Sequence, residues 1–272
     1  MLLQPQIICD RTCDALIVFN HEYSHFEDWT FGDNAPIFLI FSLTISGLET
    51  CSVDAVAMLR EAHVTFSGTE LPHKSLKTFG PTTIVSPHPE DATLACGGLI
   101  ALLHRNNQPV SIVVVSDGGS VRKIEALTAA QELGVAPAGV QFLDYRAGEI
   151  PSELVSGFPV VVKRVHAVLE TLKPSTLLVP FRGDAHADHT AVWHMFRTAV
   201  RRMKHAPRIL EYSMTAGPLT EKLVSEHQPE VWKLDVASVL ARKQRALLMH
   251  SQTGEDHSID LRSYEGFFEF RD

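Results

Sequence analysis

The chain has 272 residues, 45% of them hydrophobic, and a formal net charge of -8. That length allows one large α/β domain, or one domain with a smaller appendage, and a core that needs no disulfide or metal staple. The acidic balance excludes a typical nucleic-acid binder, whose footprint is a basic field. The four cysteines, Cys9, Cys13, Cys51 and Cys96, form no C-x-x-C pair and no evident disulfide framework, which points to a reducing, cytoplasmic setting.

The first 75 residues read as an N-terminal mixed α+β extension whose role the sequence leaves open. No basic n-region precedes the first apolar residues, so a signal peptide is not expected. "DALIVFN" from Asp14 and "IFLIFSLTIS" from Ile37 predict strands, and "SVDAVAMLREAHV" predicts a helix starting near Ser52 or Asp54. The apolar run from Ala35 to Gly47 is broken by Ser42, Thr44 and Ser46. It falls short of the roughly 20 residues needed to cross a bilayer, so no transmembrane segment is expected. His21 and His25 stand four apart in "HEYSHFEDW" without the acids or cysteines of a known metal pattern, which suits a surface or interface cluster.

From residue 76 onward the pattern alternates. "TTIVS" (82–86), "PVSIVVVSD" (109–117), "VQFLD" (140–144) and "STLLVP" (175–180) predict buried strands, and "RILEYS" and "VWKLDV" two more. Between them lie predicted helices: "ATLACGGLIALLHR", "VRKIEALTAAQELG" with Gly134 as its stop, "FPVVVKRVHAVLETLKP" and "ADHTAVWHMFRTAVRR". In the third of these, Phe158, Val161, Val162, Val165, Leu169 and Leu172 share one face. A last helix is expected from about Ala237 to His250. Such alternation predicts a Rossmann-like, mainly parallel sheet with helices on both faces. Ligands of these folds bind beyond the carboxyl ends of the strands. "HPED", "DGGS", "DYRAGE" and "FRGDAHADH" follow the four strands in turn, so the titratable residues gather where that rule puts a site.

In "HPED", a histidine and a carboxylate in one tight turn offer two ligands for a cation. Catalytic zinc takes three protein ligands and keeps a fourth position open. "DAHADH" can supply the third, because His186 and His189 lie three apart at a helix start and project to one side. "SDGGS" lacks the G-x-G-x-x-G spacing of a dinucleotide loop and reads as a plain turn. Cys96, among small residues, reads as core.

Together, "SPHPEDATLACGG", the "DGGS" segment running on through "RKIEALTAAQELGV", "FLDYRAGEI", "LLVPFRGDAHADHTAV" and "KQRALLMHSQ" resemble the PIG-L/LmbE-like family of zinc-dependent de-N-acetylases, over about residues 71–270. The resemblance makes 76–272 the deacetylase domain. It implies His88, Asp91 and His189 as metal ligands, with Zn2+ as the cofactor and Fe2+ or Co2+ as alternatives. It implies Glu90 as the general base toward a metal-activated water, His186 as the histidine that stabilises the oxyanion, and Asp188 as the acid supporting it. Arg122 matches a substrate-contacting arginine and Asp144 an acid near sugar hydroxyls. His250 lies in a run that resembles one found in relatives. The implied substrate is a small N-acylated amino sugar or glycoconjugate. An amide hydrolase on a specialised metabolite, or a catalytically silent carbohydrate-binding member, are the alternatives. A homo-oligomer is compatible with the sequence. Two departures from the family's A-H-P-D-D-E pattern bear on the chemistry. Glu90 stands for an aspartate and Ala92 for a glutamate. Neither removes an implied ligand, so an active enzyme with a modified base is expected.

Overall fold

The computed structural model describes residues 6–9, 15–18, 69–213, 224, 226–250 and 263–270. The chain divides into two compact units, Met1–His63 and Val64–Asp272. In the first, strands β1 (Gln6–Cys9) and β2 (Ala15–Val18) form an antiparallel pair. The strand expected from Ile37, the helix expected near Ser52 and the His21/His25 cluster lie outside the described residues.

The second unit holds an eight-stranded sheet. In chain order its strands are β3 (Thr69–Glu70), β4 (Thr82–Ser86), β5 (Val110–Ser116), β6 (Val140–Tyr145), β7 (Thr176–Pro180), β8 (Arg208–Tyr212), β9 (Glu230–Asp235) and β10 (Tyr264–Glu269). In space the order is β3-β9-β10-β8-β7-β4-β5-β6. The five strands from β8 to β6 run parallel, as the strand–helix alternation predicts. β10 is antiparallel to both of its neighbours. The sequence reading missed this strand, because "YEGFFE" carries two acids and a glycine.

Both faces of the sheet are buried, and alternate residues serve different layers. Ile84, Ile112, Val114 and Leu178 join one core with helices α1 (Asp91–Arg105) and α2 (Gly119–Leu133). Helix α5 (Leu240–Leu247) packs on α1 and α2. Val85, Val113, Val115, Leu177 and Val179 join a second core with α3 (Ile150–Leu172) and α4 (Ala187–Val200). Each fully buried Val, Ile or Leu contributes about 1.5–3 kcal/mol, so these two layers hold the strand ends in place. Helix α3 starts eight residues before the predicted "FPVVV" face, with a break in helical geometry at Gly157 beside Pro159. Val161, Val162, Val165 and Leu169 face the core as expected, whereas Phe158, next to the break, is exposed. Among the described residues, no helix is long and apolar enough to cross a membrane.

The site is positioned by the crossovers. The chain leaves β4 toward β5 on one side, while β7 lies on its other side. Strand order thus reverses between β4 and β7, the place where open α/β sheets leave a crevice for ligands.

Candidate metal and catalytic site

The turn after β4 is braced from within. Ser86 Oγ donates to the carbonyl of His88 (2.5 Å) and accepts from the backbone N–H of Ala92 (2.9 Å). Asp91 opens α1, where a carboxylate is favoured by the helix dipole. Its Oδ2 accepts the N–H of His88 (2.8 Å). Gly118, at φ 55°, lets the loop after β5 close on this turn. A Cβ there would lie 2.8 Å from Pro89 Cγ and 3.1 Å from Arg122 Cβ. Ala92 is packed in the apolar core, where an acid in its place would need its own partner.

The second half of the site opens α4. His186 is its N-cap, and its Nδ1 accepts the N–H of Asp188 (3.2 Å). Asp184 folds the loop ahead of it, since its Oδ1 accepts the N–H of His186 (2.9 Å). Glu211 on β8 holds the loop entry by accepting from the N–H and Nη2 of Arg182 and from Trp193 Nε1.

These halves meet. His189 Nε2 lies 3.3 Å from Asp91 Oδ2, and His88 Nδ1 lies 3.4 Å from the same oxygen. A tetrahedral zinc ion bound at about 2.0–2.1 Å requires ligand atoms about 3.3–3.4 Å apart. Both separations fit that geometry, and one atom from each of His88, Asp91 and His189 lies within 4.8 Å of the others. Behind His189, Asp184 Oδ2 stands 3.1 Å from Nδ1. Behind His88, Asp188 Oδ2 stands 3.0 Å from Nε2 and also accepts the N–H of Gly148 (2.6 Å). Each histidine of the trio thus has a carboxylate on its far ring nitrogen, the usual support of a metal-binding imidazole.

The electrostatics follow from this packing. Burial works to raise the Asp91 carboxyl and lower the two imidazoles, but their mutual hydrogen bonds and charges outweigh it. Asp91 is held well below the usual carboxylate range by His189 and His88. His88 is raised by Asp91 and Asp188, and His189 is pushed up to about 10 by Asp184 and Asp91. Asp184 is lowered against its own burial, chiefly by His189.

The remaining expected residues fall in different places. Glu90 sits beside the trio and forms an ion pair with Arg122 of α2. Asp188 supports His88, and it meets His186 through its backbone N–H. Asp144, at φ 57°, turns to Lys123 (2.5 Å) and is about half exposed. His250 is buried with Nε2 3.2 Å from Thr93 Oγ1, and burial lowers its pKa despite the nearby charge of Glu90. Cys96 is also buried, and burial beside Glu265 keeps its thiol neutral. The sequence reading did not single out Asp184. Its signal was there in "GDAHADH", an acid two residues before an N-cap and five before a ligand candidate.

Residues 83–200 match the family model described as PIG-L: GlcNAc-PI de-N-acetylase, a span that includes both ligand turns. Over that span the chain is similar to a PIG-L domain. No match is found among curated proteins. Solved structures extend the likeness of fold beyond this span. The conserved protein TT1542 from Thermus thermophilus is 22% identical with a TM-score of 0.51, over 62% of this chain and 77% of that one. GalB, the 4-carboxy-2-hydroxymuconate hydratase of Pseudomonas putida KT2440, is 19% identical with a TM-score of 0.54, over 71% and 97%. The N,N'-diacetylchitobiose deacetylase from Pyrococcus horikoshii is 18% identical with a TM-score of 0.53, over 81% and 94%.

Two outcomes follow for this site. Asp184→Asn is expected to weaken zinc binding by about 10–100-fold, measured by competition with a chelating dye. In the metal-free protein, the folded-state pKa of His189 lies above its ordinary 6.5. The stabilisation is therefore complete below pH 6.5 and is lost as the pH rises through about 10. Melting of chelator-stripped protein is expected at lower temperature at pH 9 than at pH 6.5, with a smaller difference in Asp184→Asn. A flat profile for the wild type would contradict the pairing.

Proposed function

We propose that this protein is a zinc-dependent N-deacetylase that removes an acetyl group from an N-acetylated amino sugar or sugar conjugate. The observation that carries this reading is the convergence of His88, Asp91 and His189 at zinc-like spacing, with Glu90 beside them and outside the trio. The PIG-L match and a diacetylchitobiose deacetylase of the same fold support the choice of amide and sugar.

His88, Asp91 and His189 would hold the cation, and Asp184 and Asp188 would orient the two imidazoles. A bound cation supplies Lewis acidity, polarising a carbonyl and acidifying a water. Zinc suits the nitrogen and oxygen donors, and Fe2+ or Co2+ suits them as well. Glu90 takes a proton from the attacking water and returns it to the departing amine. His186, exposed at the N-terminus of α4, donates from Nε2 to the oxyanion, since its Nδ1 accepts the N–H of Asp188. Arg122 keeps Glu90 in place until substrate arrives and then contacts the sugar. Asp144 binds a sugar hydroxyl after release from Lys123.

Protein loaded with one equivalent of zinc should release acetate from GlcNAc conjugates, and His88→Ala and Asp91→Ala should lose both metal and turnover. Full metal content and activity in both variants would overturn the reading. A catalytically silent carbohydrate-binding protein is the second reading, favoured by the engagement of Glu90 with Arg122. Turnover across a panel of N-acetyl sugars and other amides separates the two. GalB shares the fold and is named for hydration, so the panel includes unsaturated acids.

A further inference from the structure

His88 stands between two carboxylates, and the trio uses only one edge of its ring. Its Nδ1 faces Asp91 Oδ2 at 3.4 Å, and its Nε2 faces Asp188 Oδ2 at 3.0 Å. On that second edge, His88, His186 and Asp188 each offer a ligand atom, all within 4.8 Å of one another. The rings of His88 and His186 lie edge-on, 4.9 Å between centroids. Asp188 is only 1% exposed. Its Oδ2 is held by His88 and Gly148, but its Oδ1 has no hydrogen-bond partner among the described residues. A buried carboxylate oxygen without a partner is costly, so native structures normally give it a donor or a cation.

We infer that His88, His186 and Asp188 form a second divalent-cation position, distinct from the trio and sharing the ring of His88 with it. The donors are two imidazoles and a carboxylate, a set that suits Zn2+ or Co2+ and disfavours Mg2+ or Ca2+. Binding here displaces the proton shared by His88 Nε2 and Asp188 Oδ2 to solvent, and the cation takes its place. Coordination through His186 Nε2 moves that ring's proton to Nδ1, so the N-cap bond from the N–H of Asp188 is given up.

This position is weaker than the first. It must displace a proton from a ring that already serves the other cation. His186 is also exposed, and its ring nitrogen is oriented by a backbone N–H rather than by a carboxylate. Occupation has a functional consequence, which rests on the proposed deacetylation. It withdraws His186 from the oxyanion and ties up the carboxylate that orients His88. Zinc is thus an activator at the first position and an inhibitor at the second.

The test is calorimetric and spectroscopic titration of chelator-stripped full-length protein with Zn2+ and with Co2+. Two binding events are expected, the second weaker by about 100-fold, the upper end of what loss of orienting partners costs a metal site. The informative variant is His186→Asn, because Asn is a favoured N-cap and keeps α4 capped. It should retain the first event and lose the second, with an unchanged circular dichroism spectrum. His189→Asn should weaken the first event selectively. A single event in the wild type up to millimolar cation overturns the inference, as does a second event that survives in His186→Asn. Absence of the first event alone would instead strike at the proposed function.

Discussion

Glu90→Gln is expected to lower turnover by about 10²–10⁴-fold while leaving the zinc content at one equivalent, because a general base contributes on that scale and is not a ligand. Glutamine keeps the length of the side chain and can still accept from Arg122, so the turn and the neighbouring helix should be undisturbed. It cannot take a proton. The loss should therefore appear in kcat, with little change in KM. Acetate release and metal analysis on the same preparation give both readouts. Wild-type turnover in Glu90→Gln would remove Glu90 from the mechanism. Glu90→Asp is the instructive companion. It restores the aspartate of the motif that this turn resembles, but it withdraws the carboxylate from Arg122 by one methylene. A misplacement of about 1 Å can cost roughly 100-fold, so the shorter acid should be the poorer base in this chain.

The second large effect lies beneath the site. Glu265 on β10 is buried under α1 and accepts from Lys243 Nζ (2.8 Å), Gly98 N (2.6 Å) and Leu99 N (2.8 Å). Both side chains of the ion pair are 2% exposed. The fit depends on small residues, since a Cβ on Gly98 would lie 2.4 Å from Val236 Cγ1. Lys243→Met leaves the carboxylate buried without its counter-charge. Breaking such a pair from one side costs about 3–5 kcal/mol. For a chain of this size, that corresponds to a fall in melting temperature of roughly 6–20 °C. Lys243→Met/Glu265→Gln should recover part of the loss, because no unpaired charge is left. Thermal melts of zinc-loaded protein decide it, and a single variant within about 2 °C of wild type would show that the pair is not stabilising α1.

How much of this was legible in the sequence depends on the range over which each residue finds its partners. β4, β5 and β7 could be read because long apolar runs are what a strand covered on both faces requires. The two ligand turns could be read because strand ends in a parallel sheet concentrate polar residues on one edge. The first half of α3 could not, since Pro151, Gly157 and Pro159 are local signals against a helix that tertiary packing overrides. β10 escaped because Glu265 looks like a surface residue until Lys243 and the backbone of α1 are brought to it. The partners of Asp188 escaped for a similar reason. Nothing in "HADH" says that its carboxylate lies against His88, 100 residues away in the chain, rather than against the neighbouring histidine.

The place of β10 carries a consequence for how the molecule is assembled. It is the last strand in chain order, yet it sits inside the sheet, between β8 and β9. A growing chain can pair β4, β5, β6, β7 and β8 as each emerges, but β9 reaches them only through a strand that has not yet been made. Until residues 264–269 arrive, Lys243 and the middle of α1 lack the carboxylate that joins them. The helix that presents Asp91 to the cation is thus secured from below by the final piece of the sheet, so metal binding should mature late, after the framework around it has formed.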